Sequence, residues 1–203
     1  MATVQETLVI GPEDAGRLMT SEDYDAAEGE EGWRYELIRG VLVVSPIPKK
    51  PSRGMASRLI YWLEAYVESR GKDENFLTAL SEEEIPIPDG NRRRCDVAVW
   101  MGLSPNPVAE DVPAITVEFV SKRRSDVKRD DVEKRTEYLA AGVREYWIID
   151  RFRRTMTALR RRGSRWVEQI IEEGETFRTP LLPGLELDLA RLFARADALA
   201  GDE

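Results

Sequence analysis

Residues 114–121, Ala-Ile-Thr-Val-Glu-Phe-Val-Ser, are the most apolar strand-like segment of the chain, and a carboxylate, Glu118, sits inside it. A strand this apolar must be central and covered on both faces. That requirement asks for a sheet with helices packed above and below it. An ionised carboxylate in such a strand is costly unless it meets a cation or a metal.

The rest of the chain supplies those elements. Thr20-Ser21-Glu22-Asp23 resembles a helix start, and Gly29 and Gly32 end the short acidic helix that follows. Trp33–Ser45 reads as two strands around a turn at Arg39-Gly40. A helix over about 52–69 repeats Met55, Leu59, Ile60, Leu63, Tyr66 and Val67 at three and four residues, which makes one buried face. Phe76–Leu80 and Glu84–Ile87 read as two short strands, and Cys95–Met101 as a further one. A helix over about 126–141 ends at Gly142, Glu145–Asp150 is a strand, and Thr155–Arg160 with Arg165–Glu172 makes a hairpin. Strands and helices alternate irregularly and several strands are joined by tight turns. The expected fold is therefore α/β with a mixed sheet flanked by helices and a C-terminal β-hairpin, not a doubly wound parallel sheet. One domain is expected over residues 18–195, with a loose arm at 1–17 and a frayed end at 196–203.

Composition narrows the chemistry. The 203 residues include no His and one Cys. This excludes Ser–His–Asp and Cys–His catalysis, His-ligated zinc and a histidine proton shuttle. A lone Cys95 cannot form an internal disulfide, which fits a reducing cytoplasm. No leader-like segment is evident at the start, and no apolar run approaches the roughly 18 residues of a membrane span. The net charge of −8 weighs against a protein that simply coats nucleic acid. Carboxylates, Lys, Arg, hydroxyls or a hard metal held by oxygen remain.

Asp96 opens the apolar strand Cys95–Met101, as Glu118 interrupts its own. If the two strands pair, both carboxylates can converge at one end of the sheet. Two close carboxylates repel and are stabilised by a divalent cation, and hard oxygen ligands suit magnesium, with manganese as a substitute. A buried salt bridge for Glu118 and a strand-end cap for Asp96 are the simpler alternatives. Val127, Asp131, Lys134 and Tyr138 share one helical stripe, so Lys134 should face protein. There it could orient a water or neutralise transition-state charge, whereas an Asp130–Lys134 surface pair is the plainer account. Lys122 competes for the same role. Glu36, between Tyr35 and Leu37, is a further ligand candidate or a solvent-facing residue of an edge hairpin. Lys49, Lys50 and Arg53 precede or open a helix and suit phosphate. Lys122, Arg123 and Arg124 add a second basic group. The arginines of 151–165 are a phosphate patch, a solvated surface or a dimer contact.

The segments YELIRGVLVVSPIP, CDVAVW, VEFVS, DDVEKRTEYLAAGVREYWIID and TPLLPGLELDLARLF occur in this order. Together they resemble the Uma-type family of "putative restriction endonucleases", in the PD-(D/E)XK nuclease superfamily, over about residues 18–195. The resemblance implies a restriction-endonuclease-like core with magnesium held at the sheet. Asp96 matches the Asp of the family's Pro-Asp-Val motif, and Glu118 matches the acidic residue of its (D/E)XK element. The lysine two positions after that residue is Val120 here, and Lys134 on the next helix matches the family's displaced lysine. Glu36 matches the acidic residue of Tyr-Glu-Leu-Ile-Asp-Gly. Cys95 stands where Pro is usual, Arg39 where Asp is common, and Ser121-Lys122-Arg123-Arg124 where Ser-Pro-Ser-Thr is usual.

These readings make the chain a magnesium-dependent DNA endonuclease. Asp96, Glu118 and Glu36 hold the metal, and Lys134 is the catalytic lysine. Cutting both strands favours a homodimer. The competing readings are a non-catalytic homodimeric interaction module and a metal-dependent hydrolase of another phosphate ester.

Overall fold

The computed structural model describes residues 7–71, 76–102, 107–121 and 124–201; the side chains of Asp89 and of 124–131 lie outside the description. The expected strands assemble into one mixed sheet. Its members are β3 (Trp33–Ile38), β4 (Val41–Pro46), β5 (Leu77–Pro86), β6 (Arg92–Met101), β7 (Ile115–Phe119), β8 (Glu145–Asp150), β9 (Thr155–Arg162) and β10 (Arg165–Glu172), in the order β10-β9-β8-β7-β6-β3-β4 with β5 also on β6. Within this sheet, among the described residues, β7 and β8 alone pair in parallel, and the 18-residue helix α3 (Arg124–Ala141) connects them, as a crossover must. The β9–β10 hairpin is not an appendage: it extends the central sheet through β8.

Helices cover both faces, as the apolar 114–121 segment requires. On one face α2 (Lys50–Ser69) and α4 (Leu189–Ala200) bury Met55, Leu59, Leu63, Leu192 and Phe193 against Val97, Val99, Val117 and Trp147. Asp188 caps α4 by accepting from the Arg191 N–H. On the other face Tyr138 of α3 packs with Cys95, Ala98, Trp100 and Tyr146. No helix among the described residues is long and apolar enough to cross a membrane.

Three local expectations change. The leading arm is docked over its described part: β1 (Val9–Ile10) pairs with β2 (Glu28–Gly29), and Ile10 is buried with Tyr24 and Tyr35. The helix before β2 is correspondingly shorter, α1 spanning Ser21–Asp25 with Thr20 as its cap. At the other end Ala196 is buried and Leu199 presses on Gly54 of α2, where a Cβ would collide, so the helix persists to Ala200. Third, the two short strands expected at 76–87 are one strand. Residues 81–83, left between them, continue the strand, and arginines of β3 and β6 hold its acids: Arg34 pairs with Glu82, and Arg92 with Glu84.

The β3–β4 turn has positive φ at both Arg39 (53°) and Gly40 (74°), the arrangement a type I′ hairpin needs. The Arg39 N–H is fixed by Asn91 Oδ1 at 2.7 Å, so the hairpin is tied to the start of β6.

Candidate active site

β5 runs along the whole of one edge of β6, from Pro86↔Arg92 to Leu77↔Met101. The other edge is shared. β3 meets it only at Leu37↔Arg92, and β7 only at Val97–Val99. The two strands diverge like a fork, and the backbone of β6 between them needs other partners. Side chains supply them. Glu36 Oε1 accepts the Arg94 N–H at 3.0 Å, and Lys134 Nζ donates to the Arg94 carbonyl at 3.1 Å.

The two expected carboxylates converge in this fork. Continuing the β6–β7 register places Asp96 across from Glu118. Asp96 Oδ2 accepts the Phe119 N–H at 2.6 Å, so the loop-side end of β7 is fastened to it. Glu118 points toward α3, where its Oε1 accepts from Lys134 Nζ at 2.8 Å and from the Tyr138 hydroxyl at 3.2 Å. Lys134 also lies 3.7 Å from Glu36 Oε1. The helical stripe thus delivers Lys134 and Tyr138, four residues apart, to one carboxylate. The fully buried Arg93 locks α3 in this position through Glu137 (2.5 Å) and Glu133 (3.2 Å).

Two members of the site were missed by the sequence reading. Arg34 donates from Nη1 to Asp96 Oδ1 at 3.0 Å and pairs through Nε with Glu82 Oε2 at 2.9 Å. Arg34 was legible in principle, because it alternates with Glu36 on β3 and so shares its face. Glu82 was not. It lies across from Asp96 in the β5–β6 register, with φ +60°, a conformation costing on the order of 1–3 kcal/mol in a non-glycine residue. The side-chain alternation of β6 reverses at the same place. Arg93 and Cys95 face α3, whereas Val97 and Val99 join the α2 cluster.

The fork therefore holds four carboxylates, Glu36, Glu82, Asp96 and Glu118, around two cations, Arg34 and Lys134. Burial pushes the Glu118 carboxyl up to about 7, against the pull of Lys134. Burial likewise raises Asp96, with Arg34 and the Phe119 N–H opposing it, and raises Glu82, with Arg34 opposing. Glu36 lies below its ordinary value, since Lys134 and the Arg94 N–H outweigh its burial. Burial opposes the Lys134 charge too, but Glu118 and Glu36 more than offset it, so the ammonium persists. Burial also raises the Cys95 thiol well above its ordinary value, which makes it an inert packing residue.

The Glu118 shift has a sign that can be tested. A carboxyl that titrates near 7 folded and near 4.5 unfolded contributes stability fully below 4.5, lost as pH rises toward 7. Thermal melts of metal-free protein should therefore fall between about pH 5 and 7.5 more steeply in the wild type than in Glu118→Gln. Parallel profiles would show that Glu118 is ordinary.

Of the basic residues expected on substrate, Lys49, Lys50 and Arg53 are exposed at the start of α2, which packs on the sheet face opposite α3. Lys122, Arg123 and the Arg124 side chain lie outside the described residues, as do the side chains of Val127, Asp130 and Asp131. Among the described residues no group of three or more Asp, Glu or Cys side chains is drawn together around a single point. Arg34 and Lys134 stand between the acids. The donor set still fits a hard divalent cation: it is all carboxylate oxygen, and burial holds two members toward their neutral forms, which an added cation would offset.

Residues 21–190 match the family Uma2, described as "Putative restriction endonuclease". The chain belongs to the Uma2 family. A crystal structure of "a putative nuclease belonging to DUF820" from Anabaena variabilis shares the fold, with a TM-score of 0.69, 17% identity, and coverage of 88% of this chain and 99% of that one. No curated protein matches. Most of the chain, and every element that carries the fork, falls within the Uma2 match.

Proposed function

We propose that this Uma2 protein is a metal-dependent DNA endonuclease acting at the fork. The observation that carries the reading is the gathering of four carboxylates on two cations around Asp96 and Glu118. Those two residues, with Glu36 beside them, would hold magnesium, or manganese in its place. When bound, the ion would polarise a water toward attack and offset charge on the phosphoryl group. The protein's own groups do the remaining work. Lys134 keeps its ammonium between Glu118 and Glu36, placed to orient the attacking water and to meet charge that develops on the phosphate. The Tyr138 hydroxyl, donating to Glu118 Oε1, orients that carboxylate. The Phe119 N–H orients Asp96. No histidine is required at any step.

Lys49, Lys50 and Arg53, with Lys122, Arg123 and Arg124, are the proposed contacts to DNA phosphates. With an overall charge of −8, binding should be weak without metal and fall steeply with salt. The enzyme is read as a cytoplasmic homodimer, since two fork sites are needed to cut two strands.

Magnesium titrated against the melting temperature tests the site. A ligand bound only by the folded state at about 100 times its Kd adds about 2.7 kcal/mol. In a domain of this size that is a rise of roughly 5–10 °C. The rise should vanish in Asp96→Asn and Glu118→Gln. An equal rise in wild type and both variants would place the metal elsewhere.

A further inference from the structure

Arg34 is placed where a surface arginine has no reason to be. Its side chain is largely buried, and all four fork carboxylates act on its charge, Asp96 most strongly, so that the guanidinium is held above its ordinary value despite burial. It is seated at two points, Nη1 on Asp96 and Nε on Glu82. The seat is built at a cost, because Glu82 adopts φ +60° directly across from Asp96. That conformation lets the Glu82 carbonyl accept from Arg94 Nη1 at 2.6 Å while its carboxylate receives Arg34, so the turned residue serves both arginines, and strain of this kind gathers at functional sites.

The planar guanidinium suits this place. It meets two carboxylates in a fixed fork, which an ammonium cannot do. Asp96 has both oxygens engaged, one by the Phe119 N–H and one by Arg34. The guanidinium 3.0 Å from Oδ1 takes one of that oxygen's lone pairs and sets a positive charge against any incoming divalent ion. Resting on the metal reading of the fork, we propose that Arg34 is a positioning residue that acts as a resident counter-cation. It neutralises and orients Asp96 in the metal-free protein, and loading of the site is an exchange in which Arg34 leaves Asp96 Oδ1 while Glu82 retains its Nε. Glu82 is then the anchor that keeps the released guanidinium beside the site, where it can meet a substrate phosphate oxygen.

The exchange makes two variants move metal affinity in opposite directions. In Arg34→Gln nothing has to be displaced, so manganese or calcium binding by calorimetry should tighten about tenfold. The metal-free melting temperature should fall, and saturating metal should restore most of that loss. In Glu82→Gln the anchor is gone and Arg34 bears on Asp96 alone, so binding should weaken by a similar factor. Arg92, which pairs with Asp25 and Glu84 away from Asp96, separates local exchange from general charge: Arg92→Gln should stay within twofold of wild type. Arg34→Lys, with a single point of charge, should fall between wild type and Arg34→Gln.

Equal metal affinity in wild type and Arg34→Gln would overturn the exchange while leaving the metal site standing. Weaker binding by Arg34→Gln would make Arg34 a structural support of the fork and would also overturn it. A shift in Arg92→Gln as large as in Arg34→Gln would reduce the effect to general charge. If neither wild type nor Arg34→Gln binds a divalent cation, both the exchange and the metal reading fail.

Discussion

Lys134→Met should lower DNA cleavage by at least about 10²–10³-fold, the scale seen when one preorganised charge donor is removed from a transition state. The loss should be one of rate and not of metal. Lys134 contributes no ligand oxygen, and its departure leaves Glu118 and Glu36 with less positive charge nearby. The rise in melting temperature on adding magnesium should therefore be at least as large in Lys134→Met as in the wild type, because the ion now compensates carboxylates the lysine no longer serves. Single-turnover cleavage and thermal melts on the same preparations separate the two effects. Loss of the magnesium-induced rise in Lys134→Met would instead make Lys134 a structural prop of the metal site. Cleavage that survives Lys134→Met but not Lys122→Ala would move the catalytic role to the strand end.

Arg93→Met should be strongly destabilising, by up to about 3–5 kcal/mol, because it leaves the part-buried carboxylates of Glu133 and Glu137 without their fully buried cation. In a domain of this size a loss of about 3 kcal/mol lowers the melting temperature by roughly 6–12 °C. Arg93 is fully buried and holds Glu133 and Glu137 of α3, while Glu137 also accepts from Asn91 at 3.0 Å. Because α3 carries Lys134 and Tyr138, cleavage should fall along with stability, even where the variant is still folded. Adding Glu137→Leu should recover part of the melting temperature, since an apolar pair replaces an uncompensated charge. A melting temperature unchanged by Arg93→Met would show that α3 is held by its apolar face alone.

The sheet and its covering helices were legible because each rests on a periodic apolar pattern. The 114–121 run demanded a central strand, and the α2 stripe of Met55, Leu59, Leu63, Tyr66 and Val67 is the face that meets the sheet. The core of the site was legible for the same reason turned around. Glu118 and Asp96 stood out as charges in apolar strands, and Lys134 shared a stripe with an aromatic residue that had to face inward. Arg34 escaped notice because its partner lies 62 residues away, on a strand whose neighbour cannot be read from spacing. Glu82 escaped because three consecutive glutamates carry no alternation. Which one turns inward is decided by a left-handed backbone residue that only the assembled β5–β6 pair stabilises. The early docking of residues 9–10 escaped for a related reason, since a two-residue strand has no period to detect.

Cleavage of supercoiled plasmid and of single-stranded DNA, by wild type and Glu118→Gln side by side in magnesium, manganese and chelator, tests the central claim most directly. The fork mechanism predicts nicking or linearisation by the wild type with either metal, none in chelator, and none by Glu118→Gln under any condition. DNA left intact by the wild type in both metals, or cut equally well by Glu118→Gln, would contradict it.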